Sequence, residues 1–208
     1  MLIFDFDGTL ADSNGIWVEV DDIFLARRGL KATPEYNEMI GHSIFPIAAQ
    51  LTRDYFHLEE RTEDIMAEWL SLSREAYAAQ VSLKPGAAEF LEKCAQAGED
   101  MVLFTACVPE LCQTALDRFG LTKHFQQLVY AQDLGLEKRD PRAFPLLLER
   151  LGVEGARCVL FDDSPAACRA AQAAGVAAVG VHDSFYAAYE EEMRTFCDRY
   201  IMGFSELL

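Results

Sequence analysis

The sequence predicts an α/β protein in which a doubly wound parallel sheet carries an inserted helical subdomain. Short apolar runs alternate with segments that have helix start and stop signals, as expected for parallel strands joined by crossover helices. One long stretch near the N-terminus has helical periodicity and no convincing strand pattern. The composition, with 51% hydrophobic and 25% charged side chains in 208 residues, is typical of a globular domain.

Four short apolar runs are predicted to be strands buried on both faces, because their hydrophobic residues are continuous rather than alternating. The first three runs lead into polar residues, namely Asp5, Thr105 and Asp162. Residues 128–130 form a weaker fifth candidate. The four runs are Leu2–Phe4, Val102–Phe104, Val159–Phe161 and Val176–Val181.

Three helices are expected between these strands, each with a start signal and a glycine stop. In the second of them, Asp140 is the expected N-cap and Pro141 the first helical residue. The start and stop signals are Pro109 and Gly120, Asp140 and Gly152, and Ser164 and Gly175.

The region 12–82 is predicted to be a subdomain of three to five helices. Ile16, Val20, Ile23 and Phe24 fall on one helical face, as the periodicity of an amphipathic helix requires. We therefore divide the chain into an α/β core and one insertion. The core comprises residues 1–11 and 83–208, and the insertion comprises residues 12–82.

The formal net charge of −16 limits the classes of partner. Such an acidic chain repels phosphate backbones and anionic membrane surfaces, so we expect no nucleic-acid or membrane partner. The first residues carry no basic segment or long apolar core, so a signal peptide is not expected. The six cysteines form no C-x-x-C pair, which favours free thiols and a cytoplasmic location.

Polar side chains are predicted to converge at one edge of the sheet, since ligands of open α/β sheets bind beyond the carboxyl ends of the strands. Several carboxylates at such close quarters stay ionised together only if a cation lies among them. Oxygen ligands without a nearby histidine or thiolate favour Mg²⁺, and a lysine outside the metal site would hold phosphoryl oxygens. The converging residues are Asp5, Asp7, Thr105, Lys138, Asp162 and Asp163.

Four segments in order resemble the motifs of the haloacid dehalogenase superfamily in its phosphatase form. The first is Asp-Phe-Asp-Gly-Thr-Leu at 5–10, and the second is the run that ends at Thr105. Lys138 with Pro141 is similar to the third motif, and the segment 161–164 to the fourth. The helical insertion after the first motif is similar to the α-helical cap of the branch that includes phosphoglycolate phosphatases and β-phosphoglucomutases.

The resemblance implies a role for each aspartate. Asp5 would be the nucleophile and form an aspartyl-phosphate, and Asp7 would protonate the leaving oxygen and then activate water. Mg²⁺ would be held by the Asp5 carboxylate, the Asp7 backbone carbonyl and Asp163. Asp162 would lie beside the ion or contact it directly.

The resemblance also implies which residues contact the substrate. Thr105 and Lys138 would hold the transferring phosphoryl group. Gly41 and His42 lie where a substrate-contacting loop of the cap is expected, and are candidates for substrate binding. His182-Asp183-Ser184 contains the residue types of a catalytic triad, but adjacent residues cannot hydrogen-bond as one, so a loop is expected.

The predicted function is therefore Mg²⁺-dependent hydrolysis of a small phosphorylated metabolite. One alternative is a phosphosugar mutase of the same superfamily, which is disfavoured because Trp17 stands where those enzymes carry a histidine. A second is a phosphoacceptor or binding module without catalytic activity, which the intact motif residues disfavour. The sequence makes no prediction about oligomeric state.

Overall fold

The computed structural model describes residues 1–41 and 43–208 and is built around a six-stranded parallel sheet. The strand order is β5-β4-β1-β6-β7-β8, so the first strand lies in the middle. The strands are β1 (Leu2–Phe4), β4 (Met101–Thr105), β5 (Gln127–Tyr130), β6 (Val159–Asp162), β7 (Ala177–Val181) and β8 (Arg199–Ile201). This arrangement confirms the predicted doubly wound α/β fold.

The apolar runs form the central strands because both faces of the sheet are covered by helices. All five residues of β4 are buried, and the Phe4 ring stacks on Phe161 of β6 with centroids 4.8 Å apart. The helices that follow the inserted region are α5 (Ala87–Gln96), α6 (Pro109–Phe119), α7 (Ala143–Leu151), α8 (Pro165–Ala173) and α9 (Glu190–Phe196). Within residues 1–41 and 43–208, none of the helices is both long and apolar enough to cross a membrane.

The inserted region contains four α-helices that surround an apolar core of their own. They are α1 (Asn14–Ala26), α2 (Pro34–Ile40), α3 (Phe45–Phe56) and α4 (Thr62–Glu75), and α4 continues into a π-helical turn at Ala76–Gln80. Val20, Phe24, Tyr36 and Trp69 are among the buried residues of this core. Ile23, which we expected on the buried face of α1, is instead 37% exposed, because the four helices cover a narrower face than the sequence suggested.

Two short strands, which the sequence did not predict, join the two parts of the chain. β2 (Ala11–Asp12) and β3 (Ser82–Leu83) pair antiparallel, so the chain leaves and re-enters the α/β core side by side. The pairing places the ends of the helical region close together beside the first motif.

One helix start and one edge strand also differ from the sequence prediction. Asp140 is not the N-cap of α7: its carboxylate accepts a hydrogen bond from the Arg142 N–H at 2.9 Å in a local turn, and the helix begins at Ala143. β8 was not predicted, because three residues are too few to show a strand pattern. Ser164 caps α8 as predicted, accepting a hydrogen bond from the Ala167 N–H.

Candidate active site

The central position of β1 brings the predicted site residues together. Lys138 Nζ donates hydrogen bonds to Asp5 Oδ1 and to Asp162 Oδ2, both at 2.6 Å. Asp5 follows β1, Asp162 ends β6, and Lys138 reaches both from the loop before α7. Burial alone would lower the pKa of Lys138, but the carboxylates of Asp162 and Asp5 raise it above its ordinary value. Lys138 is therefore a permanent cation at this edge of the sheet.

Three buried carboxylates at this edge have the composition of a divalent-cation site. Asp5, Asp162 and Asp163 each offer an oxygen atom, and the three oxygen atoms lie within 4.8 Å of one another. Burial raises the pKa of Asp162 to about 6. Burial, followed by repulsion from Asp162 and Asp5, raises the pKa of Asp163 well above its ordinary value. One lysine cannot balance three carboxylates, so the all-oxygen donor set fits Mg²⁺.

The turn after β1 requires glycine at position 8. Gly8 has φ +76°, a backbone conformation that other residues rarely adopt. A Cβ atom there would overlap Oδ2 of Asp163 and Nδ2 of Asn14. The glycine therefore allows the backbone to pass directly beneath the Asp163 carboxylate.

The Asp7 side chain is held away from the three clustered carboxylates. Its Oδ1 accepts hydrogen bonds from Ser13 Oγ at 2.5 Å and from the Tyr77 hydroxyl at 2.6 Å. The Tyr77 hydroxyl itself accepts a hydrogen bond from Trp17 Nε1 at 2.8 Å. Burial raises the pKa of Asp7, although the Ser13 and Tyr77 hydrogen bonds oppose the shift. Asp5 and Asp7 thus occupy different environments, as a nucleophile and a proton donor need.

A chain of polar contacts links Asp163 to the connection between the two parts of the molecule. Asn14, the first residue of α1, donates to Asp163 Oδ2 at 2.8 Å and to Asp183 Oδ1 at 3.1 Å. Lys84, just after β3, donates to Asp183 Oδ2 at 2.5 Å. Thr9 Oγ1 accepts a hydrogen bond from the Asp163 N–H at 3.0 Å. Asp163 is therefore positioned by residues that flank both crossings into the helical region.

The predicted site residues line one cavity of about 210 Å³ between the strand ends and the helical region. Thr105 is fully buried, and its Oγ1 accepts a hydrogen bond from the Cys107 N–H at 3.1 Å. Gly41 lines the cavity, and its carbonyl oxygen accepts a hydrogen bond from the Tyr186 hydroxyl at 3.1 Å. His42, the other candidate for substrate binding, lies outside the described residues.

Comparison with known proteins identifies the family. The sequence model of the haloacid dehalogenase-like hydrolase family matches residues 2–181. The chain belongs to this family. Among curated relatives, a phosphoglycolate phosphatase of Pseudomonas savastanoi is 24% identical over 87% of this chain and 68% of the relative. The fructose-1-phosphate phosphatase of Escherichia coli is 26% identical over 86% of this chain and 95% of the relative.

Solved structures of similar fold include proteins described as haloacid dehalogenase-like hydrolases. CbbY from Rhodobacter sphaeroides, in complex with phosphate, superposes with a TM-score of 0.83 and 20% identity, covering 99% of this chain and 95% of that one. A protein described as a β-phosphoglucomutase from Thermotoga maritima has a TM-score of 0.71 and 22% identity, with 96% and 93% coverage. These likenesses establish the fold of the helical region as well as that of the sheet.

Sequence reasoning missed several residues of this site, including Ser13, which donates to Asp7. Tyr77 and Lys84 lie about 70 residues or more from the first motif, and no local pattern connects them to it. Asn14 lies four residues after the first motif, so its place beside Asp163 could have been suspected. Asp183 was taken for a plain loop residue; it does lie in a loop, but it is buried and bonded to both Asn14 and Lys84.

Proposed function

We propose that this chain is a Mg²⁺-dependent phosphomonoesterase that acts on small phosphorylated metabolites through an aspartyl-phosphate. The observation that carries the proposal is the arrangement of Lys138 between Asp5 and Asp162 at 2.6 Å, with Asp163 beside them and Asp7 held apart. The curated relatives described as phosphatases support the same reaction class.

In the proposed reaction, Asp5 attacks the phosphorus atom while Lys138 and Thr105 hold the phosphoryl oxygens. The bond from phosphorus to the ester oxygen breaks, and Asp7 gives its proton to that oxygen. Asp7 then takes a proton from a water molecule, which attacks the phosphorus and releases Asp5 and inorganic phosphate. Splitting one difficult hydrolysis into two displacements lowers the barrier of each.

Mg²⁺ would be held by the carboxylates of Asp5 and Asp163 and by the Asp7 backbone carbonyl, with Asp162 close by. When bound, it would neutralise negative charge on the phosphoryl oxygens. Burial raises the pKa of Asp7, which favours the protonated form that a proton donor needs, and the Ser13 and Tyr77 hydroxyls fix its orientation. This division of roles explains why two aspartates two residues apart have such different surroundings.

The region 12–82 is proposed to act as a cap over the cavity. Its helices supply Trp17, Phe45 and Trp69 to the lining, whereas the strand ends and the loop before α7 supply the clustered aspartates and Lys138. A cap that covers the site would exclude bulk water and restrict the leaving group to small molecules.

The first test is hydrolysis of an aryl phosphate by the purified protein. We expect activity with Mg²⁺ and none with excess EDTA. Asp5→Asn should lower kcat by at least ~10³-fold, because it removes the nucleophile and a metal ligand together. Asp133→Asn, which changes an aspartate outside the cavity lining, serves as the control. Near wild-type turnover by Asp5→Asn would exclude the covalent mechanism.

A further inference from the structure

Among the described residues, the helical side of the cavity carries acidic groups and no opposing cation. Asp21 and Asp22 on α1 and Asn37 on α2 are polar lining residues of the helices. Among the described lining residues, Lys138 and Arg139 are the cationic ones, and both belong to the loop before α7. Arg139 is already paired with Glu137 at 2.6 Å. The leaving-group end of the cavity is therefore negatively charged.

Asp21 is partly buried and has few partners among the described residues. Its one hydrogen bond in the described part of the chain comes from the Tyr36 hydroxyl at 3.5 Å, at the limit of such a contact. Burial and, to a smaller extent, repulsion from Asp22 raise the pKa of Asp21 to about 7, against the hydrogen bond from Tyr36, which lowers it. Acids with raised pKa values in a cavity concentrate at functional sites.

The surface around these acids is aromatic. Trp17 packs on Phe45 with ring centroids 5.8 Å apart, and Phe45 packs on Trp69 at 5.7 Å. All three rings line the cavity, and we call them the aromatic wall. The buried Trp69 Nε1–H has no acceptor in the described residues. Aromatic faces combined with a carboxylate attract an organic cation and offer no favourable interaction to an anion.

We propose that the natural leaving group carries a protonated amine, so that the substrate is an amino-alcohol or amino-sugar phosphate rather than a phosphorylated carboxylic acid. This inference rests on the proposed phosphatase function. The amine would face Asp21 and the aromatic wall while the phosphoryl group lies at Lys138.

The inference can be tested with phosphate esters that differ in one terminal group. Ethanolamine phosphate, ethylene glycol phosphate and phosphoglycolate share a two-carbon leaving group that ends in an ammonium, a hydroxyl and a carboxylate. Glucosamine 6-phosphate and glucose 6-phosphate are a second pair with a larger leaving group, and they differ in an amine in place of a hydroxyl. We expect kcat/KM to fall from ammonium to hydroxyl to carboxylate, with about 10- to 100-fold between the extremes.

Variants show whether Asp21 causes the preference. In Asp21→Asn, the ratio of kcat/KM for the amine over the hydroxyl substrate should fall towards unity. Glu19→Gln removes a charge from the exposed side of the same helix and should leave that ratio unchanged. If Asp21→Asn does not fold, Asp22→Asn should reduce the ratio in the same direction by a smaller factor.

The possible results separate this inference from the proposed function. If wild-type protein prefers phosphoglycolate, or treats the three small esters alike, the amine proposal is overturned while hydrolysis of the aryl phosphate still supports a phosphatase. An unchanged amine preference in Asp21→Asn also overturns it. Absence of aryl phosphatase activity with Mg²⁺ would instead overturn the proposed function.

Discussion

The sheet side and the helical side of the cavity differ in the partners that they give to their carboxylates. On the sheet side, Asp5 and Asp162 each lie 2.6 Å from the ammonium group of Lys138. On the helical side, Asp21 has a single weak contact with the Tyr36 hydroxyl and no cationic partner in the described residues. The sheet side therefore carries a built-in counter-ion for two of its carboxylates, whereas the described residues of the helical side offer none to Asp21.

This difference corresponds to the two parts of a phosphomonoester, namely the phosphoryl group, which all substrates share, and the leaving group, which distinguishes them. Every phosphomonoester presents the same phosphoryl group to the sheet side, so fixed charges there serve any substrate. The leaving group varies, and in the proposed binding mode it meets α1, α2 and the aromatic wall. Each of the following substitutions either removes the counter-ion of the carboxylates on the sheet side or tests a contact between the sheet side and the helical region.

The largest effect in this set is expected from Lys138→Met, which leaves the carboxylates of the sheet side without a cationic partner, like Asp21 on the helical side. We expect kcat/KM on an aryl phosphate to fall by about 10²–10³-fold, because the transferring phosphoryl group loses a charged donor. Loss of the internal counter-ion should also make Mg²⁺ raise the Tm more than it does in wild-type protein. Steady-state kinetics and thermal unfolding with and without Mg²⁺ measure the two effects.

A lysine far from the cavity provides the control for that substitution. Lys123 is 69% exposed and lies 3.8 Å from Glu92, so Lys123→Met should match wild-type protein in both measurements. Equal Mg²⁺ stabilisation in Lys138→Met and wild type would contradict the role of Lys138 as the counter-ion of the carboxylates.

The next effect should come from Tyr77→Phe, because Tyr77 orients Asp7 from the helical region. Loss of its hydroxyl removes the 2.6 Å bond to Asp7 and leaves Trp17 Nε1 without its acceptor. We expect about a 10-fold fall in kcat for an alkyl phosphate, whose leaving oxygen needs a proton, and a smaller fall for a nitrophenyl phosphate. The measurement compares kcat for the two esters.

Tyr55 offers a matched hydroxyl in the same region that does not touch Asp7. Its hydroxyl lies 2.8 Å from Thr33 Oγ1, so Tyr55→Phe should leave the alkyl-to-aryl ratio at its wild-type value. If Tyr77→Phe lowers both rates by the same factor, the tyrosine acts on the structure as a whole rather than on proton transfer.

A third substitution tests the link between Asp163 and α1. Asn14→Ala removes the bonds from Nδ2 to Asp163 at 2.8 Å and to Asp183 at 3.1 Å. Residues that orient a metal ligand typically change affinity by 10- to 100-fold, and we expect about 10-fold weaker Mg²⁺ binding. Titration of Mg²⁺ followed by thermal shift gives the affinity. Asn37→Ala is the control, and equal affinities in the two variants would refute the link.

The sheet side of the site was more predictable from sequence than the helical side. Asp5, Thr105 and Asp162 each follow or end a continuous apolar run, so the strand pattern alone places them at one edge. The structure brings them together with Asp7, Lys138 and Asp163, and their catalytic roles stay predictions. Sequence periodicity located the helices without specifying which of their faces line the cavity, as the exposed Ile23 shows.

Contacts between the two parts of the chain could not be predicted, because they depend on how those parts meet. Tyr77 reaches Asp7 from a π-helical turn, and Lys84 reaches Asp183 across 99 residues. Neither position carries a motif, and both lie close in sequence to β3, which pairs with β2. Asp21 is likewise an ordinary acidic helix residue in sequence, and its partial burial beside Tyr36 of α2 gives it an unusual environment.

The smallest effect is expected in the stability of Asp21→Asn. Because burial raises the folded-state pKa of Asp21 from 3.8 to about 7, the folded protein binds the proton more tightly than the unfolded chain. The contribution of Asp21 to stability is thus complete at low pH and is lost as the pH rises from about 4 to about 7. Above that range, the ionised carboxylate destabilises the fold.

Asparagine at position 21 removes this pH-dependent penalty. We expect Asp21→Asn to gain about 1–2 kcal/mol in unfolding free energy relative to wild type between pH 5 and pH 8, with no ligand present. Urea unfolding of both proteins at the two pH values measures the gain, and Glu19→Gln should show none. A gain that is independent of pH would mean that the Asp21 carboxylate is already balanced in the free protein, and the contrast between the sheet side and the helical side would then be lost.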